Sequence, residues 1–177
     1  MDHEMRMVSE LFESSRYAMT AAAWPVLLVG LLTALLGIVV IMRERESRVS
    51  WTFGLMTSMV ALWLVAISIS YAAREAELAM RWIKIEHLGV VCIPTAVLLF
   101  VSTVARRIQA CRLVLAISGA LSIGFYATIL FGDGFISGLI RYPWGWYARY
   151  GLVSLPFLVF FSAVLLFSLS LLWKEYR

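Results

Sequence analysis

Long uncharged stretches alternate with short charged joints along this chain. Runs free of Asp, Glu, Lys and Arg cover residues 17–42, 49–73, 87–105, 113–132 and 150–173. A helix rising about 1.5 Å per residue needs roughly 20 residues to cross a hydrocarbon core of about 30 Å. All five runs are long enough, the third being the shortest. Backbone polar groups in lipid must be paired within the segment, which makes such runs helices unless they close into a barrel. Period-two alternation, the mark of a barrel strand, is absent from Leu-Val-Ser-Leu-Pro-Phe-Leu-Val at 152–159. The pattern therefore predicts an all-α polytopic membrane protein, a bundle of about five transmembrane helices. The spans fall at about 24–42, 51–73, 88–105, 113–131 and 152–173, in a domain covering 21–177. Residues 1–20 are polar and acidic, with Met5, Val8, Phe12 and Met19 partly on one helical face, and read as an interfacial helix or leader.

Small residues and prolines add detail to the spans. Pro25 suits a first helical turn, where a missing N–H costs nothing. Gly30 and Gly37 mark one close-packing face, and Ala116, Ala120 and Gly124, four residues apart, mark another. Pro94 and Pro156 lie inside spans and are expected to act as hinges. The stretch 74–87 has no Gly or Pro and reads as a polar helix running into the third span. It places Leu78, Trp82, Ile85 and Gly89 on one stripe and pairs Glu77 with Arg81. The connection 132–151 reads as a long loop, opened by Gly132-Asp133-Gly134 and ending in five aromatics between Tyr142 and Tyr150.

Charge supplies an orientation. The chain is 62% hydrophobic and 15% charged, where soluble domains carry about a quarter charged residues. The joints after spans one and three, with the C-terminal tail, hold eight Lys/Arg against three acids; the opposite side holds seven against eight. The first eight are crowded close to helix ends, where the positive-inside bias acts. This predicts an integral cell (inner) membrane protein with its N-terminus outside and its C-terminus cytoplasmic. The basic balance fits that topology and contact with membrane lipid, and suggests no nucleic-acid partner. The first span follows an acidic leader and is too long for a signal core, so it is expected to be retained. Cys92 and Cys111 would lie roughly 28 Å apart on a continuous helix, out of disulfide reach, and imply no metal site.

Candidate chemistry is sparse. No phosphate loop, metal-ligand cluster or Ser/His/Asp constellation is present, so neither an enzyme nor a cofactor is expected. His3-Glu4-Met5-Arg6 resembles the start of a phosphoacceptor box but lacks the polar residue and proline that follow it, and is read as chance. Spans free of buried charge argue against pumps and ion-coupled transporters. Glu86-His87, at the expected outer mouth of span three, reads first as an interfacial pair facing headgroups and second as a pH- or ligand-responsive group. In the aromatic loop Arg141, Tyr142, Trp144, Trp146 and Arg149, with Trp82 and His87, form a candidate ligand-binding set; interfacial anchoring is the simpler reading.

The stretch Trp82-Ile83-Lys84-Ile85-Glu86-His87-Leu88-Gly89, followed by Pro94 and Phe100, resembles the N-terminal seven-helix membrane module of bacterial histidine kinases and diguanylate cyclases. The order of short arginine joints, a longer aromatic loop and a Phe-rich following span is similar as well, over roughly 20–173. The resemblance implies a sensing bundle shaped by Trp82, His87, Gly89 and Pro94. Five spans stand where that family has seven, and no kinase or cyclase domain follows within the sequence. A shortened form, a stand-alone relative, or a subunit whose output lies on another chain are the readings left open. The expected function is a membrane-embedded sensory or input module relaying a signal to the cytoplasmic end of the last helix. It would work as a homo-oligomer or with other membrane subunits, and with a cytoplasmic output protein. The alternative is a non-catalytic accessory subunit of a larger membrane complex; a small-molecule transporter comes third.

Overall fold

The computed structural model describes residues 14–177. The leader expectations for Met5, Val8 and Phe12 and the His3–Arg6 string lie outside the described residues. Five helices follow: α1 (Ala23–Arg43), α2 (Arg48–Ala72), α3 (Ala76–Val104), α4 (Ile108–Phe131) and α5 (Ser154–Tyr176). All five are long and apolar enough to cross a membrane. Between α4 and α5 the chain forms two antiparallel strands, β1 (Ile136–Tyr142) and β2 (Gly145–Tyr150).

α3 is the hub. It packs against α2, α4 and α5, and it is the most buried of the five helices. α1 is the least buried and packs on α2, leaving Leu28, Leu32, Leu35 and Val39 about half exposed. Such apolar exposure is what lipid contact requires; in lipid, burial of apolar area no longer drives association, and close packing must. The α1–α2 seam shows how. A methyl group on Gly37 would overlap the Thr57 hydroxyl, one on Gly54 would overlap Ile41, and one on Gly30 would meet Val65 and Leu64. The Gly30/Gly37 face is thus the α1 side of an intrachain contact.

The α3–α4 seam is held differently. Ser122 Oγ donates to the Val91 carbonyl oxygen at 2.7 Å, while Thr95 Oγ1 lies 3.0 Å from Ser122 Oγ and 2.6 Å from Ser118 Oγ. Since Ser122 has spent its proton on Val91, Thr95 donates to Ser122 and Ser118 donates to Thr95, a chain with every proton placed. The Ala116/Ala120/Gly124 groove points elsewhere. All three are exposed, and a methyl group on Gly124 would meet nothing within 4 Å. Ser118 and Ser122 lie two residues from the groove positions, on the opposite side of the helix, and their turn toward α3 leaves the groove facing away from it.

The two prolines also separate. Pro94 is buried in the interior of α3, where its ring removes an N–H from the helical ladder. Pro156 is the third residue of α5. Its missing N–H belongs to the first turn, which has no helical acceptor in any case, so it starts a helix and is not a mid-span hinge.

Joints between helices are short and capped. Ser47 accepts from Ser50 N at the start of α2. α3 ends in a Schellman turn: Arg107 N donates to Ser102 O at 2.8 Å and Arg106 N to Thr103 O at 3.1 Å. Arg106 occupies the left-handed position, with φ 54°. At the other end of the bundle the N-terminal segment clasps the α2–α3 joint: Ala18 N donates to Ala72 O, Arg74 N to Arg16 O, and Arg16 pairs with Glu75.

The strands are the feature that the hydropathy pattern did not predict. A hairpin alone is marginal in water and gains stability by packing; this one lies on α2 and α3. Its turn, Tyr142-Pro143-Trp144-Gly145, sets Gly145 at φ 143° with Tyr71 pressed against its α-carbon, a place without room for a side chain. A bulge at Ser137, between Ile136 and Gly138, re-aims the start of β1 so that Phe135 and Ile136 both turn inward.

Candidate functional site

The hairpin closes over the first turns of α3. The face of α3 carrying Ala79, Ile83, Glu86, His87 and Val91 repeats every three to four residues, and all five are buried. Glu86 and His87 are 3% and 1% exposed. The expected headgroup-facing pair therefore lies inside the fold, against the expectation of spans free of buried charge. Its cover is Phe135 and β2, which no periodicity in α3 announces.

His87 Nδ1 lies 2.7 Å from Ile83 O and 3.4 Å from Glu86 Oε1. A carbonyl oxygen accepts only, so Nδ1 carries the proton. Nε2 of the same ring, Oε2 of Glu86 and Nε1 of Trp146 are buried without a hydrogen-bond partner. The imidazole meets Phe135 edge-on, with ring centres 5.7 Å apart, and Tyr150 at 5.8 Å. Phe135 in turn contacts Phe125 and Phe157 at 6.4 and 5.3 Å, and Phe125 contacts Phe160 at 5.6 Å.

One side of this aromatic cluster opens into a pocket of about 280 Å³ lined by His87, Val90, Phe135, Tyr150, Phe157 and the α5 residues Ser154, Leu155 and Leu158. It is apolar apart from His87, the Tyr150 phenol and Ser154. Burial raises the Tyr150 pKa, and the nearby Tyr147 and Glu86 raise it further, so the phenol stays protonated at neutral pH.

A second pocket, also about 280 Å³, lies across the hairpin, between its turn and the α2–α3 joint. Tyr71, Arg74, Arg141, Tyr142 and Trp146 are among its walls. The Arg141 guanidinium sits 5.1 Å over the Trp146 ring, and Tyr142 stacks on Trp144 at 4.7 Å with planes 3° apart. The Trp144 carbonyl accepts from Thr20 Oγ1. Trp146 and Trp82 pack against Leu78 and Ala79, and Trp82 Nε1 donates to the Tyr17 hydroxyl at 2.9 Å.

The seven candidate binding residues are thus not one site. His87 lines the first pocket; Arg141, Tyr142 and Trp146 line the second. Trp144 stacks at the hairpin turn and Trp82 braces the N-terminal clasp. Arg149 is exposed and gives its carbonyl to the Ser137 hydroxyl. Sequence reading passed over Phe135, Phe157 and Ser154 as lining residues. The short run Leu139-Ile140-Arg141-Tyr142, then the turn-forming Pro143-Trp144-Gly145, then Trp146-Tyr147-Ala148, is the hairpin signal that would have found the fold-back. Among the described residues no group of His, Cys, Asp or Glu is arranged to hold a metal ion.

No curated protein and no solved structure matches the chain. One sequence family does, over residues 25–177, nearly the whole length and all five helices. The chain is therefore an integral membrane protein belonging to the family of the N-terminal 7TM region of histidine kinase.

Proposed function

We infer that the protein is a non-catalytic sensory input module, in which the His87 pocket receives a signal at the outer face and α5 carries it to the cytoplasmic end. The observation that carries this is the composition of the pocket wall. Ser154, Leu155, Phe157 and Leu158 are the first turns of α5, and they face His87 on α3. An occupant would therefore touch both helices at once. At the far end the same two regions meet again: Arg107, just past α3, lies 3.3 Å from Glu175 of α5. A ligand that prefers one spacing of α3 and α5 would shift that spacing along the whole helix, because helices are stiff and packed interfaces move between discrete arrangements. The arginine-dense joints support the orientation, with the hairpin outside and Arg43, Arg106 and Arg107 inside.

Two measurements test this. Cysteines placed at Trp144 and Lys174 in intact cells should react with a membrane-impermeant maleimide only at 144; labelling at 174 alone overturns the orientation. Spin labels at 106 and 174 should change separation by about 2 Å or more when Leu155→Trp fills the pocket from its rim, the scale of known helix shifts. An unchanged distance distribution in a folded protein would remove the relay.

The bare face of α4, with Ala116, Ala120 and Gly124 exposed, favours a second reading, an accessory subunit or homo-oligomer that packs another membrane helix there. Stable co-purification with other membrane subunits, lost in Gly124→Ile, would support it over the sensor.

A further inference from the structure

We propose that the His87 pocket binds a lipophilic alcohol or phenol taken laterally from the bilayer, its hydroxyl donating to His87 Nε2 and its apolar body lying against α5. This rests on the sensor reading above and specifies its ligand. Three observations carry it. Ile83 O holds a proton on Nδ1, so in the neutral form of the imidazole Nε2 is a bare acceptor. That atom is buried and unpartnered, a state that costs free energy until a donor arrives. A hydroxyl is the smallest group that satisfies it without bringing a charge into an apolar chamber.

The second observation is size. About 280 Å³ is at the low end for small-molecule sites, enough for a ring or a short chain and not for a whole lipid. The third is the rim. Leu155 and Leu158 line the pocket and are yet 61% and 59% exposed. They belong to a helix whose outer surface continues as Val159, Leu166 and Leu169, all exposed and apolar. The mouth therefore opens toward lipid, and a tail too long for the chamber would run along α5 in the bilayer. Ser154 stands beside the mouth with its hydroxyl already bonded to Gly151 O at 2.6 Å, so the polar atom of the pocket wall that has no partner is His87 Nε2.

The test uses the full chain in lipid nanodiscs and a matched pair of diazirine probes: a long-chain 4-alkylphenol and its methyl ether, identical except for the donor. Photolabelling is mapped by mass spectrometry. The phenol should label the peptide containing Leu155 and Leu158 about tenfold more than the ether, as expected for one buried hydrogen bond made or left unmade. His87→Phe should bring phenol labelling down to the level of the ether and leave ether labelling unchanged. Leu158→Trp, an exposed position at which the fold tolerates bulk, should suppress labelling by both probes.

Equal labelling by the two probes, or phenol labelling undiminished in His87→Phe with the helical content retained, would overturn the proposal. So would stronger labelling by the corresponding fatty acid, which would show that the site selects a carboxylate. Occupancy is read here without any output. Phenol-selective labelling with an unchanged spin-label distance between 106 and 174 sinks the relay alone. Loss of selectivity with a pocket-dependent distance change sinks the ligand class alone.

Discussion

The α-carbon of Gly89 on α3 faces the backbone of α2 at Trp63, so closely that a β-carbon added there would lie 2.9 Å from Trp63 N and 2.5 Å from Met59 O. Both are backbone atoms, which no rotamer change moves aside. The two helices can approach this far only because position 89 has no side chain, and this approach sets the depth at which Glu86 and His87 are held.

Gly89→Ala should therefore force α2 and α3 apart and destabilise the bundle by about 2 kcal/mol, within the usual range for overpacking. Reversible unfolding in mixed micelles measures it. A loss below about 0.5 kcal/mol would mean that the helices separate at little cost and that the contact is not specific.

Gly145→Ala should undock the hairpin. The residue sits at φ 143° against Tyr71, so the substitution strains the backbone and collides with α2 at once; strain of this kind costs about 1–3 kcal/mol. Amide exchange in β1 and β2 should accelerate, while exchange in the middle of α2 stays slow. Uniform acceleration throughout would show that the hairpin and bundle unfold together.

Arg106→Gly should stabilise the protein by about 1 kcal/mol. Arg106 holds the left-handed position of the Schellman turn at φ 54°, which costs an L-residue roughly 1–2 kcal/mol, and glycine, despite its greater freedom when unfolded, recovers part of that. Chemical denaturation of the two proteins at matched lipid composition decides it. Destabilisation would show that the Arg106 side chain makes a contribution larger than the strain.

The hydroxyl chain across α3 and α4 should be worth little per link. Ser122→Ala removes the donor to Val91 O and the acceptor for Thr95, yet double-mutant cycles between membrane helices average about 0.6 kcal/mol. A Thr95→Val/Ser122→Ala cycle should give a coupling below about 2 kcal/mol. A larger value would make these hydroxyls, and not the apolar packing of Phe125, Ile129 and Cys111, the main tie of α4.

The N-terminal clasp should loosen in acid. The Arg16 guanidinium, hydrogen-bonded to Glu75, holds that carboxyl below its ordinary value. An acid whose pKa is depressed on folding adds stability that is complete above the unfolded value near 4.5 and is lost as pH falls through the lower folded value. Protection of the Ala18 and Arg74 amides, which bond across the clasp, measured against their intrinsic exchange rates at each pH, should fall below about pH 4 and be flat above it. Protection of the same amides in Glu75→Gln at neutral pH should match that of the acidified protein.

Hydropathy alone determined the membrane class, the five helices and their approximate limits, because a bilayer demands long uncharged runs and leaves few alternatives to helices. It also marked Gly30 and Gly37 as a close-packing face, since a missing side chain is informative wherever packing drives association, but it did not show that Gly89 is where α2 meets α3. Arginine density suggested an orientation for the same reason of composition. Which side of each helix met a neighbour was not legible. The Ala116/Ala120/Gly124 groove is as small as the Gly30/Gly37 face, yet among the described residues only the latter is packed against a neighbour, a choice made by Ser118, Ser122 and Thr95 together. The site was less legible still. Glu86 and His87 read as interfacial because the chain near them is polar; they are buried because a hairpin some fifty residues later folds back over α3. Its turn depends on Gly145 meeting Tyr71, and its inward face on a bulge at Ser137. Long-range contacts of that kind depend on two segments at once, so no single stretch of sequence encodes them, and only the tertiary structure brings His87, Phe135, Tyr150 and Phe157 around one chamber.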